Sequence, residues 1–129
     1  MPAKQTLGKD QRLKSRKRIE AIFKDGKRFT VFPFRIFFQA EKTGKSELQI
    51  GVGVSGKFFR KAVDRNRIKR LIKESWRVQI ASLKEKLTSE ESSLFVFIIY
   101  TSGEMLSYKE VHKGVLTVIA KLEEKLSKS

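Results

Sequence analysis

Hydrophobic residues near the amino terminus recur at intervals of three and four positions. Ile19, Ile22 and Phe23 follow this spacing, which places them on one side of a helix. Ser15 precedes them as a candidate N-cap, and Gly26 follows where a C-terminal cap belongs. The pattern predicts one short amphipathic helix between these two residues.

A second helical pattern occupies the middle of the chain and is longer. Asp64 is its candidate N-cap, and the helical spacing continues to about Leu87. The apolar positions on its buried side are Ile68, Leu71, Ile72, Trp76, Ile80 and Leu83. This pattern predicts a single long helix.

A third helical pattern lies near the carboxyl end. Ser107 and Glu110 have the spacing of a capping box, in which each side chain bonds the backbone N–H of the other residue. The apolar residues that follow at helical period are Val111, Val115, Val118, Ile119, Leu122 and Leu126. We therefore expect a C-terminal helix.

Between the first two helical patterns the hydrophobic positions alternate with period two, which is typical of strands. Over residues 29–40, one face carries Phe34, Ile36 and Phe38, and the other carries Arg35, Phe37 and Gln39. Pro33 cannot donate a backbone hydrogen bond. It therefore predicts an edge position, a bulge or a break into two shorter strands.

Two more strands are predicted. Residues 48–54 alternate, and the turn before them at residues 43–45 indicates a hairpin with the preceding strand. Gly51 and Gly53 in this segment indicate either tight packing or a close approach of a ligand to the backbone. Residues 94–100 are nearly all apolar, which predicts a central strand buried on both faces.

The order of these elements, α-β-β-α-β-α, is typical of an α+β fold. We expect a single-domain α-β sandwich in which three helices pack on a small mixed sheet. The domain should span residues 15–127, since a chain of 129 residues fits one compact unit. Residues 1–14 are basic and polar with little periodicity, so we expect a flexible basic arm there.

The charge balance narrows the class of function. Lys and Arg number 29 against 14 Asp and Glu, a net charge of +15. Such a charge indicates a polyanionic partner, because cations that neutralise phosphates release condensed counterions. A basic surface without a ligand and an acidic membrane surface are the alternatives.

The chain has no Cys, no apolar signal segment and no apolar run long enough to span a bilayer. We expect a cytoplasmic protein with no membrane association.

Basic residues concentrate at the start of the long helix and in the loop before it. Arg65 and Arg67 lie in the first helical turn, where cations oppose the helix dipole, so helix stability does not explain them. Guanidinium groups suit bidentate contacts with phosphate. The candidate RNA-binding residues are Lys57, Arg60, Lys61, Arg65, Asn66, Arg67, Lys69, Arg70, Lys73 and Arg77. The alternative is a solvated basic face.

Aromatic residues offer a second candidate surface. Phe37 lies on the strand face opposite the expected core, and Phe23 lies on the first helix. Both are candidates for stacking on unpaired bases. The commoner fate of such rings is burial in the core, and this alternative stays open.

Signals of catalysis are absent from the sequence. His112 is the only His, so neither a His-based triad nor a multi-His metal site can be built. The acidic residues are not spaced as metal ligands would be. We therefore expect no catalytic residue on the protein, and no metal or cofactor bound by the protein alone.

Residues 50–55, Ile-Gly-Val-Gly-Val-Ser, precede residues 61–70, Lys-Ala-Val-Asp-Arg-Asn-Arg-Ile-Lys-Arg. Together they closely resemble the signature of the bacterial ribonuclease P protein component, in which a glycine- and valine-rich strand is followed by an R-N-R helix start. A looser similarity covers most of the chain. The sequence departs from the family at Gly56, where Lys is common, and at Ile19, where an aromatic residue is frequent.

The resemblance implies an α-β sandwich with a left-handed parallel crossover, against the usual right-handed rule. It also implies contacts with the catalytic RNA from Arg65, Asn66, Arg67, Lys69 and Arg70. A cleft for the single-stranded 5′ leader of precursor tRNA is implied at Ile19, Phe23 and Phe37. The implied function is a subunit that promotes endonucleolytic removal of the leader. Catalysis and Mg²⁺ would belong to the ribonuclease P RNA, and no further protein partner would be required.

Two other functions compete with this one. A ribosomal or other structured-RNA-binding protein with no cleavage role would share the charge and the basic helix, but the R-N-R motif after a glycine-rich strand argues against it. A DNA-binding module would need a recognition helix with base-reading residues, which the pattern does not show.

Overall fold

The computed structural model describes residues 12–42 and 44–127. Its elements, in chain order, are α1 (Arg16–Asp25), β1 (Lys27–Val31), β2 (Phe34–Glu41), β3 (Leu48–Val54), α2 (Ala62–Gln79), α3 (Ala81–Glu90), β4 (Ser93–Tyr100) and α4 (Tyr108–Ser127). One four-stranded mixed sheet has helices packed on both faces. The predicted α+β sandwich is confirmed.

The first helix and the strands after it follow the predicted pattern. Ser15 caps α1 by accepting a hydrogen bond from the backbone N–H of Arg18 at 3.2 Å. Gly26 donates its N–H to the Ile22 carbonyl at 2.9 Å and ends the helix. Of the three outcomes open at Pro33, the break is observed, because β1 and β2 pair antiparallel across the turn that contains it.

The central position in the sheet belongs to β4, and the strand order is β1-β2-β4-β3. β4 pairs antiparallel with β2 and parallel with β3, which confirms its predicted position. The predicted hairpin between β2 and β3 is wrong. Because β4 is apolar on both faces, it takes the interior position, and the chain crosses through α2 and α3 between the two parallel strands. The handedness of this crossover stays a prediction.

The start predicted for the long helix over residues 64–87 is wrong. α2 begins at Ala62, and Lys61 before it makes no capping bond with its side chain. Asp64 lies within the first turn, where its charge is favourable to the helix dipole. The sequence pattern placed the cap three residues late, because Asp is common both at the cap and in the first turn.

The predicted long helix is also divided into two, so residues 12–42 and 44–127 contain four helices, whereas three were predicted. α2 ends before Ile80 and α3 follows directly. The buried apolar positions up to the break are Ile68, Ile72, Trp76 and Ile80. They lie four residues apart, and each such step rotates the buried stripe of a straight helix by about 40°. The step of three residues from Ile80 to Leu83 turns the stripe back by about 60°, and Leu83 and Leu87 of α3 are buried in the same core.

The main hydrophobic core lies between one face of the sheet and helices α2, α3 and α4. The sheet residues that contribute to it are Phe34, Ile36, Phe38, Leu48, Ile50, Leu94, Val96, Ile98 and Tyr100.

The capping box predicted for α4 is confirmed. The N–H of Ser107 donates to Glu110 Oε1 at 3.2 Å, and the N–H of Glu110 donates to Ser107 Oγ at 3.2 Å.

A second, smaller cluster lies on the opposite face of the sheet, where its buried members are Leu13, Ile22, Phe37 and Phe95. The N–H of Leu13 donates to the Ile50 carbonyl at 3.0 Å, and Arg12 forms a parallel bridge with the same residue. Arg12 and Leu13 therefore belong to the fold and not to the flexible arm predicted for residues 1–14. Residues 1–11 of that arm lie outside the described residues.

Candidate RNA interface

The sheet face that carries α1 is only partly covered by that helix. The strand register aligns Phe37, Phe97 and Gly51 in one row across β2, β4 and β3. The next row consists of Arg35, Ile99 and Gly53. Phe97 and Ile99 are only partly buried, although they lie on the central strand. This open region, lined by Ile19, Phe23, Phe37, Phe97 and Ile99, is termed the aromatic cleft.

All three residues predicted for a leader cleft lie at this site. Phe23 contacts Phe37 and Phe97 edge-on, with ring centroids 4.7 Å and 5.2 Å apart. Ile19 packs on the same cluster. Phe23 is 39% exposed, whereas Phe37 is only 7% exposed. Phe37 therefore supports the cleft from beneath and offers almost no ring surface to a base, so the stacking surface is that of Phe23 and Phe97.

Phe97 is a cleft residue that the sequence pattern does not single out. A Cβ atom on Gly51 would lie 2.7 Å from Phe97 Cδ2, and one on Gly53 would lie 3.0 Å from Cε1. Of the two interpretations open for these glycines, tight packing is therefore the one observed. Strict alternation along β4 already puts Phe95, Phe97 and Ile99 on one face. Because the other face is equally apolar, the pattern does not reveal which face is open.

The two ends of the aromatic cleft differ in their charged groups. At one end Arg18 lies over the Phe95 ring, 3.9 Å from its centroid, and forms an ion pair with Glu41. Arg18 therefore covers the Phe95 ring at that end. Towards the open end, Arg35 is exposed on β2, and Arg28 is exposed on the same face of β1. Neither was a predicted site residue, although period two places both on this face.

Half of the predicted RNA-binding residues lie on one side of α2 and are available to a ligand. Asn66, Arg67 and Arg70 are exposed, and Lys69 and Lys73 are partly buried. We term these five residues the basic ridge. Within residues 12–42 and 44–127, no carboxylate forms an ion pair with its four cations. Uncompensated charge of this kind opposes the compact state and favours binding of an anion.

Arg65 and Arg77, also predicted to bind RNA, are engaged within the protein. Arg65 donates to the carbonyl groups of Phe59 and Arg60 at 2.7 Å and 2.8 Å, which holds the loop against α2. Arg77 forms an ion pair with Glu74 at 3.0 Å. The remaining predicted cations, exposed on or next to this loop, are Lys57, Arg60 and Lys61. The contacts of Arg65 and Arg77 give them structural roles that the sequence pattern does not reveal.

A groove of about 220 Å³ crosses the edge of β3 and connects the basic ridge to the aromatic cleft. Its lining includes Arg12, Lys69 and Lys73 together with Gly51 and Phe97. Burial lowers the pKa of Lys73 below its ordinary value, and the nearby charges of Arg12 and Lys69 lower it further. An anion in the groove would reverse this effect, because an opposite charge favours the protonated amine.

The single His takes part in a polar contact between two helices. His112 Nδ1 on α4 lies 3.0 Å from Ser75 Oγ on α2, and Gln79 Nε2 donates to the same hydroxyl at 2.9 Å.

In the part of the chain that the structure describes, no three His, Asp or Glu side chains are grouped as a metal site requires. None of the helices in the described ranges is both long and apolar enough to cross a bilayer.

Sequence comparison finds relatives that match most of the chain. A ribonuclease P protein component of Porphyromonas gingivalis is 30% identical over 115 residues, which cover 88% of this chain and 84% of that protein. A protein of the same name from Bacillus cereus is 32% identical over 112 residues, which cover 87% of this chain and 90% of that protein.

Solved structures show the same fold. The RNase P protein of Staphylococcus aureus superposes with a TM-score of 0.67 at 21% identity, covering 88% of this chain and 95% of that chain. That of Thermotoga maritima superposes with a TM-score of 0.66 at 23% identity, covering 85% and 96%. A family model described as Ribonuclease P matches residues 7–123. On this match and on the identity to the relatives, the chain belongs to the ribonuclease P protein component family.

Proposed function

We propose that this chain binds the catalytic RNA of ribonuclease P through the basic ridge and the 5′ leader of precursor tRNA in the aromatic cleft. Its family is that of the protein component of the ribonucleoprotein endoribonuclease that processes tRNA 5′ ends. The observation that carries the assignment of the two surfaces is the groove across β3. It joins cations of the ridge to the partly buried ring of Phe97.

The basic ridge suits a structured RNA because its cations are held on an anchored helix. Ile72 and Trp76 on the opposite side of α2 pack in the main core. Because the helix is held there, its exposed charges keep a fixed spacing. Each phosphate that a cation neutralises releases condensed counterions, which drives binding. Arg67 and Arg70 offer bidentate donors, and Asn66 can both donate to and accept from a sugar or a base.

The aromatic cleft suits unpaired nucleotides better than a duplex. Bases of a duplex stack on one another, whereas a single strand can stack its bases on side chains. Phe23 and Phe97 offer such surfaces, and the exposed Arg28 and Arg35 can contact phosphates towards the open end. A cleft of this kind would distinguish precursor tRNA, which carries a leader, from mature tRNA, which lacks one.

The chemistry of cleavage is assigned to the RNA in this proposal. Mg²⁺ prefers oxygen ligands such as carboxylates and phosphates, whereas both proposed surfaces consist mainly of cationic and aromatic side chains. The described residues contain no acidic cluster that fits the metal. We therefore place Mg²⁺ with the RNA and assign binding and positioning to the protein.

Reconstitution tests the function as a whole. The purified chain is combined with the ribonuclease P RNA and precursor tRNA of the same organism, and 5′ cleavage is measured at low Mg²⁺. We expect the protein to enhance cleavage by the RNA, because its cations reduce phosphate repulsion, and to be inactive alone. Activity of RNA-free protein would contradict the assignment of catalysis, and a lack of enhancement would contradict the function.

Single substitutions test the basic ridge. Arg67→Ala and Lys69→Ala should each weaken binding to the RNA subunit. Each should also reduce the slope of log affinity against log salt concentration by about one unit per lost phosphate contact. Lys121→Ala, an exposed position on α4, is the matched control and should leave the slope unchanged. A well-folded ridge variant with the wild-type slope would remove that residue from the interface.

A further inference from the structure

We propose that Phe58 stacks on an unpaired base of the ribonuclease P RNA. The inference rests on the proposed RNA-binding function and adds to it a specific contact at the loop before α2. Phe58 is 50% exposed, and its neighbours in this loop include the exposed cations Lys57 and Arg60. It therefore combines an accessible aromatic ring with charges that attract phosphate.

The loop backbone is held in place on both sides of Phe58. The N–H of Lys57 donates to Ser55 Oγ at 3.1 Å, and the N–H of Phe59 donates to the Ser55 carbonyl at 3.3 Å. Phe59 is buried, and its ring centroid lies 6.1 Å from that of Tyr100. The position of Phe58 is thus set before RNA binds, which reduces the entropy lost on binding.

The surroundings of the Phe58 ring leave part of it open. A Cβ atom on Gly103 would lie 3.4 Å from Phe58 Cδ1, so the backbone after β4 supports the ring without a side chain to cover it. Arg65 holds the next part of the loop through the carbonyl groups of Phe59 and Arg60. The structural role of Arg65 therefore contributes to the presentation of Phe58.

The charges around Phe58 select the class of ligand. A single exposed apolar side chain does not by itself indicate an interaction site, so the neighbouring charges must identify the ligand. Exposed Lys57, Arg60 and Lys61 would repel a second copy of this chain, whose net charge is +15, and they would attract a polyanion. A ring flanked by phosphate-binding cations is the arrangement that binds unpaired nucleotides. Because the loop leads directly into α2, the same RNA can contact both surfaces.

Phe32 supplies a matched control. It is 69% exposed in the turn between β1 and β2, and its chain neighbours Val31 and Pro33 are uncharged. If exposure of a Phe ring were sufficient for RNA binding, both residues would contribute. If flanking cations are required, only Phe58 should contribute.

The test measures affinity for the ribonuclease P RNA at several salt concentrations, together with thermal unfolding of each protein. The variants are Phe58→Ala, Phe58→Leu, Phe58→Trp and Phe32→Ala. We expect Phe58→Ala and Phe58→Leu to bind roughly 5- to 100-fold more weakly, as for the loss of one stacked base. Phe58→Trp and Phe32→Ala should bind as the wild type does. The salt dependence should not change in any variant, because no phosphate contact is lost.

Two results would overturn the proposal: wild-type affinity of Phe58→Leu, which would indicate an apolar contact without stacking, or equal affinities of Phe58→Ala and Phe32→Ala. If Phe58→Ala fails to fold, the affinities of Phe58→Leu and Phe58→Trp for the RNA show whether an aromatic ring is required at this position. Failure of the wild type to bind the RNA would instead contradict the proposed function. Normal RNA binding by all Phe58 variants, with weaker binding by Lys69→Ala, would contradict only the stacking contact.

Discussion

The two faces of the sheet are both rich in large apolar side chains, but helices cover them to different extents. On the core face three helices pack, and Ile98 has no exposed surface. On the other face one helix of ten residues covers part of β2 and β4, and Phe97 and Ile99 remain partly exposed. Burial of apolar surface stabilises a fold by about 25 cal/mol per Å², and this stabilisation is lost where the surface stays in water. Folding alone does not account for the open face, and this difference is the basis for the proposed leader site.

The largest expected effect comes from neighbours on β4 that face opposite sides of the sheet. Ile98→Ala should lower the free energy of unfolding by about 4 kcal/mol, because it leaves a cavity in an enclosed core. Ile99→Ala should lower it by only about 1 kcal/mol, because its side chain is partly exposed already. Urea unfolding of both variants measures the difference. Equal losses would mean that the cleft face is packed as tightly as the core.

The next prediction separates two rings that touch in the aromatic cleft. Phe37→Ala should lower the free energy of unfolding by about 3 kcal/mol, since its ring is buried, and should weaken binding of precursor and mature tRNA in proportion. Phe23→Ala should change stability by about 1 kcal/mol or less and weaken precursor binding roughly 5- to 100-fold, while mature tRNA binds normally.

Affinity of the reconstituted ribonucleoprotein for both tRNAs, measured beside thermal unfolding of the free protein, tests this pair. The Phe37→Ala protein serves as the control for lost packing. A well-folded Phe23→Ala variant that still prefers precursor tRNA would remove the stacking role from Phe23.

The smallest effect is expected where the cleft meets the ridge. Because burial and nearby cations lower the pKa of Lys73, its protonated form is less favourable in the folded chain than in the unfolded one. This penalty is fully present below the lowered pKa and is lost as pH rises from the lowered pKa to the ordinary pKa of the unfolded chain. Lys73→Gln should therefore raise Tm by about 1 °C at neutral pH, since solvent still screens the charge of this partly buried side chain, while RNA binding weakens.

Thermal unfolding across a pH series checks the sign. The gain in Tm over the wild type should begin to shrink above the lowered pKa, where the folded wild-type amine loses its charge, and should vanish near the ordinary pKa of Lys. A lower Tm for Lys73→Gln at neutral pH would show that the ammonium group stabilises the fold.

Local features of the fold were predictable because neighbouring residues decide them. Ser15, and the pair of Ser107 and Glu110, satisfy backbone groups within one turn of their own helices, and they do so in the structure. Pro33 lacks a donor wherever it lies, so an irregularity of the strand was predictable there, although an edge, a bulge and a break were all left open. Most of the basic ridge was also predictable, since helical spacing alone puts Asn66, Lys69, Arg70 and Lys73 on one side of α2.

The candidate site was only partly predictable. Resemblance to the family brought Ile19, Phe23 and Phe37 to one cleft, and the structure brings the same residues together. It did not reveal that Phe37 is buried or that Phe97 is open, because both depend on where α1 lies across the sheet. Nor did it reveal that Arg65 bonds the loop beside Phe58, since that contact depends on the path of the loop.

Most of the helices and strands, the charge and the family could be inferred from the sequence, because these follow from residue type and short-range spacing. The pairing of β3 with β4 instead of β2, the break of the long helix at Ile80 and the exposure of particular aromatic rings could be seen only in the folded chain. Strand pairing and burial depend on residues far apart in the chain, and a periodic pattern shows that a residue has a face without showing what covers it.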